Sequence, residues 1–337
     1  MSTASWAEPR PTFPSRIDTA AATREPVLRV DDVVRRFDGT VALDHLSLGL
    51  GAGEIRALVS RNGAGKTTLL RILSGLLEPD EGSLRMLGME ITQSRALRSQ
   101  VGLVPSGTRS FYLRISGFEN LMFFARLHGL RRREASSRTA AALEAVDLVE
   151  AAHRRVSTYS TGMQRRLAVA RALLHRPSVL LIDEATHDLD PEQAVRIRGL
   201  VEEAAARGAA VLWTTQRLEE LHAFGHTVTL IDRGQCRFDG TLPELLAVAG
   251  RRRYLLGFEN GDGQHPRHLP LRLGHLASLD EAGGSSNGHY LLTLADGAIL
   301  GDALEALWAH GLRVVSCSEA QASIEEAFLS VLAEELP

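Results

Sequence analysis

The residues best suited to chemistry lie in Asn62-Gly63-Ala64-Gly65-Lys66-Thr67-Thr68, where small residues surround a lone ammonium. Small residues let backbone N–H groups turn inward around phosphate oxygens. A helix that starts where such a loop ends offers its free amides to the same anion. In that setting Lys66 reaches the β- and γ-phosphates, and the Thr67 hydroxyl ligates Mg2+. The loop therefore predicts ATP and Mg2+ as ligands. The usual pattern, G-x-x-x-x-G-K-[ST], departs at its first position, which is Ser60. Serine there gives up conformational freedom but leaves the later glycines in place, so binding is expected to persist in weakened form. Lys66 is the single lysine; every other member of the 38 Lys and Arg is arginine. One lysine kept inside this loop marks a place where a compact ammonium fits and a planar fork does not.

A second constellation is Val179-Leu180-Leu181-Ile182-Asp183-Glu184, an apolar strand that ends in two acids. Asp183 can hold Mg2+ directly or through water, and Glu184 can orient and deprotonate an attacking water. Acids at a strand end often do no more than mark its emergence into solvent. A glycine loop on a neighbouring strand gives this pair its meaning.

The elements that position these groups follow from hydrophobic period. Short β runs are expected over 28–30, 33–37, 46–50 and 55–59, the last ending at the glycine loop. A helix carrying Leu69, Leu70, Ile72 and Leu73 follows, which is the strand–loop–helix setting a phosphate loop requires. Residues 118–127 and 134–149 read as helices, and Arg131-Arg132-Arg133 between them as a solvated helix start. Then come helix 161–175, strand 179–182, helix 192–207, and strands 210–214, 227–232 and 235–239. This alternation implies a largely parallel, covered sheet. Residues 1–26 read as a flexible tail. Residues 250–337 read as a small α/β accessory domain with strands 254–258, 290–294 and 313–317, helices 302–310 and 323–335, and an exposed loop over 283–288.

Together these stretches resemble the nucleotide-binding subunit of an ATP-binding-cassette (ABC) transporter, over about Val27 to Gly240. Tyr159-Ser160-Thr161-Gly162-Met163-Gln164 resembles the family's signature sequence, more usually Leu-Ser-Gly-Gly-Gln. The resemblance implies a P-loop α/β domain at 27–249, with a helical subdomain over about 107–175. It implies a head-to-tail dimer in which Ser160 and Gly162 cap the γ-phosphate bound by the other subunit. A helix N-cap at Ser160 or Thr161 would account for the same residues locally. Phe37 stands where the family places an aromatic against adenine, although a buried strand residue reads almost as well. Asp190 matches the dimer-contact loop, or caps the helix that Pro191 begins.

Several positions depart from the family. The glutamine after strand 101–104 is Ser106, too short to reach Mg2+ from the same backbone position. The switch histidine is Gln216, which can donate to a γ-phosphate but carries no charge. That loss costs about 1 kcal/mol, or about tenfold in rate if it acts in the transition state. The usual proline after the catalytic acid is Ala185, followed by His187-Asp188 where small residues are common. Arg109-Ser110-Phe111-Tyr112-Leu113-Arg114 resembles a bacterial subgroup that also lacks the glutamine. Ser323-Ile324-Glu325-Glu326-Ala327-Phe328-Leu329 resembles the C-terminal extension of bacterial drug-exporter cassettes.

Composition narrows the partners. A net charge of −3 gives no bulk attraction to nucleic acid or anionic membrane. No apolar run is long enough to span a bilayer, and the N-terminus lacks a secretory pattern. Cys236 and Cys317 form no metal or disulfide spacing, as expected of a reduced cytoplasmic setting. The expectation is an ATPase subunit that drives export through a separate permease, peripheral on the inner membrane face, in a homo- or heterodimer of cassettes. The alternatives are a degenerate, ATP-binding half of a heterodimer, and a soluble cassette ATPase acting on ribosomes or DNA.

Overall fold

A computed structural model describes residues 26–91, 95–107, 110–186, 189–221, 227–249, 252–258, 271–281, 289–295, 297–320 and 323–333. The chain runs β1 (Leu28–Phe37), β2 (Thr40–Leu50), β3 (Ile55–Ser60), α1 (Lys66–Leu73), β4 (Glu81–Met86), β5 (Met89–Glu90), α2 (Arg95–Arg98) and β6 (Val101–Val104). Then come α3 (Gly117–Leu127), α4 (Arg132–Ala145), α5 (Thr161–Leu173), β7 (Val179–Asp183), α6 (Pro191–Ala206), β8 (Ala210–Thr215), β9 (Thr227–Asp232), β10 (Gln235–Gly240) and α7 (Leu242–Val248). The last part holds β11 (Arg253–Phe258), β12 (Leu271–Leu273), β13 (Ala277–Glu281), β14 (His289–Leu294), α8 (Leu300–Ala309), β15 (Val314–Ala320) and α9 (Ile324–Ala333). The expected tail, apart from Pro26, and the expected loop at 283–288 lie outside the described residues.

The site rests on a sheet of order β10-β9-β3-β8-β7-β6. All its pairs are parallel except β9 with β10. Every residue of β3, β7 and β8 is buried, in keeping with their mostly apolar sequences: helices or a second sheet cover both faces. Because β3, β6, β7 and β8 run the same way, their C-terminal ends share one edge. Ser60, Ser106, Asp183-Glu184 and Gln216 all lie at or just past those ends, the edge where open α/β sheets bind ligands.

A smaller antiparallel sheet, β2-β1-β4-β5, lies beside it. Where two short pieces were expected, β1 is one strand with an irregularity: register shifts between Val30 and Val33, and Asp32 takes φ 53°. The bulge resets the alternation of side chains, so the period read from sequence breaks there. Ala64 and, from α1, Leu69, Leu70, Ile72 and Leu73 pack in the same core as Leu28, Leu43, Leu46 and Leu181.

Helices α3 and α4 lie where helices were expected, and α4 differs in length. Helix α3 starts at a capping box between Ser116 and Glu119. Helix α4 was expected to reach Val149, but it stops at Ala145, and Asp147 takes φ 54°. A left-handed residue cannot continue a right-handed helix.

The C-terminal part differs most from expectation. Its sheet is antiparallel, ordered β12-β13-β14-β11-β15, and two of its strands, β12 and β13, were not read from sequence. Leu256, Leu279 and Leu292 pack there against Ala303 and Leu307 of α8. Helix α9 does not join that core. Ile324, Ala327 and Val331 bury instead with Ala57 and Val59 of β3, Val228 and Leu230 of β9, Leu221, and Leu245 of α7. The last helix thus covers the sheet that carries the glycine loop. Among the described residues, no helix is long and apolar enough to cross a membrane.

Candidate functional site

The segment 61–65 leaves β3 and turns sharply into α1. Gly63 and Gly65 take φ 79° and 107°. At Gly65 a Cβ would sit 2.4 Å from the Ala42 carbonyl oxygen, so both conformation and space require glycine. The turn is also held from outside. The Gly234 N–H donates to the Ala64 carbonyl at 3.1 Å, and the Asp44 N–H donates to the Gly234 carbonyl at 3.0 Å. Helix α1 begins with no side-chain cap on its first amides, which leaves them for an anion.

Lys66 is buried, and its ammonium donates to Ser60 Oγ at 2.8 Å, to the Ser60 carbonyl at 3.1 Å and to the Arg61 carbonyl at 3.4 Å. Ser60 Oγ donates its own proton to the Arg61 carbonyl at 2.9 Å, so it faces Lys66 as an acceptor. This corrects the sequence expectation for Ser60. Ser60 is not among the residues with positive φ, so serine is unstrained there, and its hydroxyl supports the cation. Burial lowers the Lys66 pKa from the usual lysine range, while Glu184 and Asp183 oppose that shift. Ser60→Ala removes an acceptor worth about 1 kcal/mol from a buried cation. The Lys66 pKa should fall further, and the alkaline limb of ATP binding should move to lower pH. Nucleotide titration from about pH 7 to about pH 10 checks this, and an unmoved limb would make the hydroxyl incidental.

Asp183 and Glu184 follow from β7. Asp183 is buried and accepts from Thr214 Oγ1 of β8 at 2.7 Å. Glu184 takes φ 52°, and its N–H donates to the Thr214 carbonyl at 3.2 Å. Its carbonyl accepts from Arg165 Nη1 at 2.7 Å, and its Oε1 accepts from Gln216 Nε2. One cleft of about 330 Å³ is lined by Asn62, Gly63, Ala64, Gly65, Lys66, Thr67, Thr68, Ser106, Asp183, Glu184 and Gln216, together with Ala42. The sheet therefore brings together the whole predicted phosphate loop, the two acids and the switch position. Ser106 also lines it, despite its short side chain.

Ser160 and Gly162 lie elsewhere. They line a second cleft with Thr161, Met163, Arg166, Leu189, Asp190 and Gln193, and the two clefts share no residue. Ser160 caps α5 by accepting from the Met163 N–H at 3.2 Å. Asp190 caps α6 by accepting from the Gln193 N–H at 2.8 Å. Both local readings hold, and both residues still face open space. Phe37 lines neither cleft. It is 39% exposed, so it is not a buried strand residue, and the Arg35 guanidinium sits 4.7 Å from its ring centre. Arg109 and His187-Asp188 lie outside the described residues.

The residues fit ATP with Mg2+. Among the described residues, no cluster of three or more His, Cys, Asp or Glu could hold a metal alone. Mg2+ bound with nucleotide needs only one or two protein ligands plus phosphate oxygens and water. Thr67 and Asp183, in the same cleft as Lys66, are the residues that would supply them.

Sequence reading missed three supporting residues. Thr214 could have been found from register, since it pairs with Asp183. Arg165 reads as one basic side chain among several in α5. Glu220 reads as a solvated acid, yet it is buried. It accepts from Thr186 Oγ1 at 2.5 Å and from Trp213 Nε1 at 3.3 Å, tying the turn after Glu184 to the segment after Gln216.

Comparison with known proteins agrees with this geometry. The sequence model described as "ABC transporter" matches residues 43–187. The daunorubicin resistance ATP-binding protein DrrA3 of Streptomyces coeruleorubidus is 36% identical over 230 residues, covering 68% of this chain and 72% of that protein. The daunorubicin/doxorubicin resistance ATP-binding protein DrrA of Streptomyces peucetius is 32% identical over 308 residues, covering 90% and 92%. A solved ATP-binding subunit of an ABC transporter superposes with TM-score 0.63 at 26% identity, over 66% of this chain and 93% of that one. A dimeric cassette, MJ0796, bound to ADP and Pi, superposes with TM-score 0.59 at 22% identity, over 64% and 98%, a likeness of fold.

Proposed function

This chain belongs to the ABC transporter family as an ATP-binding cassette, and from that premise we propose that it hydrolyses ATP to drive export through a separate membrane permease. The observation that carries the proposal is the pair of separate clefts. One holds the phosphate loop and the acids, and the other holds the signature residues. A single chain offers Ser160 and Gly162 to no nucleotide of its own. Two cassettes facing head to tail would set each signature against the other's phosphate loop and bury two ATP molecules.

In that arrangement Lys66 and the α1 amides neutralise and fix the β- and γ-phosphates. Mg2+ held by Thr67 and Asp183 would draw charge from the phosphate oxygens. Glu184 orients the attacking water and takes its proton. Gln216 Nε2 fixes the Glu184 carboxylate from the side. Glu184 in the cleft argues for a working engine and against a purely ATP-binding half. The relatives named for daunorubicin and doxorubicin resistance suggest a small-molecule drug as cargo.

The permease needs a seat. We assign it to Tyr112, Leu113, Phe123 and Leu127, large apolar side chains exposed on the helical subdomain, with the Tyr112 and Phe123 rings edge to face at 5.1 Å. Affinity capture of the tagged full chain from detergent-solubilised membranes is expected to retain a polytopic membrane protein. Substituting Phe123 and Leu127 by serine should release it. Capture of ribosomes or DNA instead would overturn the transport reading.

A further inference from the structure

Glu184 is held at its backbone as well as at its carboxylate. A side-chain-bearing residue at φ 52° is uncommon and needs its surroundings to keep it there. Two bonds do so. The N–H is fixed by the Thr214 carbonyl, within the sheet, and the carbonyl is fixed by Arg165 Nη1 at 2.7 Å, from outside it. The second bond is charge-assisted and the stronger of the two.

Arg165 belongs to α5, whose N-terminal turn carries Ser160 and Gly162. The same short stretch of helix therefore lines the signature cleft and grips the catalytic acid of the other cleft. A helix is stiff over one turn, so a shift of its N-terminus on meeting an anion carries Arg165 with it. The Glu184 carbonyl follows, and the carboxylate turns about the same residue.

We propose that Arg165 is a positioning residue that sets Glu184 for hydrolysis at one ATP site according to what the signature end of α5 holds at the other. This rests on the two-cassette reading above. It makes the two sites of a dimer cooperative through a single side chain in each protomer, with no contact between Arg165 and nucleotide.

The test uses the full chain with ATP and Mg2+. Arg138→Ala serves as control, because Arg138 Nη1 also donates to a backbone carbonyl, that of Leu174, at 3.0 Å. Arg165→Ala should lower kcat about tenfold or more, leave KM for ATP within about twofold, and bring the Hill coefficient to about 1. Arg165→Lys, which can donate to the same carbonyl, should recover part of both losses. Arg138→Ala should leave the Hill coefficient at the wild-type value. Unchanged kcat and Hill coefficient in Arg165→Ala would overturn the proposal. So would parallel losses of kcat, KM and Tm in Arg165→Ala and Arg138→Ala, which mark a merely structural role. A separate measurement, ATP-driven dimerisation of Glu184→Gln by size exclusion, reads the premise. No dimer there, with a wild-type Hill coefficient of about 1, would overturn the two-cassette reading and the coupling with it.

Discussion

Glu184→Gln should bind ATP as the wild type does and turn it over at least about a hundredfold more slowly. The substitution keeps size and shape. Its amide oxygen can still accept from Gln216 Nε2, so the contact that fixes the side chain survives. What is lost is the ability to take a proton from water, and a positioned general base contributes about 10²–10⁴ in rate. The loss should fall on kcat with KM for ATP little changed, since Lys66 and the glycine loop do the binding. The trapped state should also gather as an ATP-dependent dimer. Steady-state phosphate release and nucleotide titration on the same preparation check this. Turnover within about threefold of wild type would remove Glu184 from the role of base.

Gln216 sharpens this expectation. A histidine there could carry charge and move a proton. Glutamine can do neither, so position 216 offers no titratable group to stand in for Glu184. The structure gives Gln216 a use that needs no charge: it donates to the Glu184 carboxylate from across the cleft. The departure that looked like damage in the sequence acts in the fold as a fixed hydrogen bond.

Much of the site was legible because phosphate chemistry demands fixed residue types at fixed spacing. Gly63, Gly65, Lys66 and Thr67 are neighbours in sequence and in space, so a local pattern was enough. Asp183-Glu184 was legible because a buried strand that ends in acids has few other readings beside a glycine loop. Glu220 and Arg165 were illegible because their roles depend on what lies across the sheet, and no local pattern encodes it. Ser60 was misread for a different reason. In sequence it stands where glycine would have conformational freedom, and only the fold shows a φ that serine accepts and an ammonium 2.8 Å away. In the fold, strands with both faces covered were found by their apolar runs. Strands β12 and β13, of three and five residues, were not, because so short a run carries little period. The terminal helix was read at about its place in the chain, but nothing in its own sequence says which core it joins. Contact with Ala57 and Val59 shows which one it joins.

Lys66→Arg should cost about a hundredfold in ATP affinity, about 2.7 kcal/mol, although it keeps the charge. The ammonium has three hydrogens and meets three acceptors, Ser60 Oγ, the Ser60 carbonyl and the Arg61 carbonyl, in a buried site. Every donor is matched before nucleotide arrives, and the flexible stem lets it swing to the phosphates without leaving a hydrogen unpaired. A guanidinium is planar and wider and carries five donors in a fixed fork, so some of them would be buried without partners. Overpacking the turn would cost about a further 1–3 kcal/mol, and Tm should fall accordingly. Lys66→Met separates the two effects. It fills the space without charge, so it should lose affinity as strongly as arginine but keep Tm closer to wild type. Calorimetric ATP titration and thermal unfolding of the three proteins give the comparison. If Lys66→Arg binds ATP within about threefold of wild type, charge alone suffices and the shape argument fails. Every other cation in this chain is arginine, so the composition itself supplies the reference state. Lysine is kept at the one position where a buried cation must be compact, fully bonded when empty, and free to turn toward a phosphate.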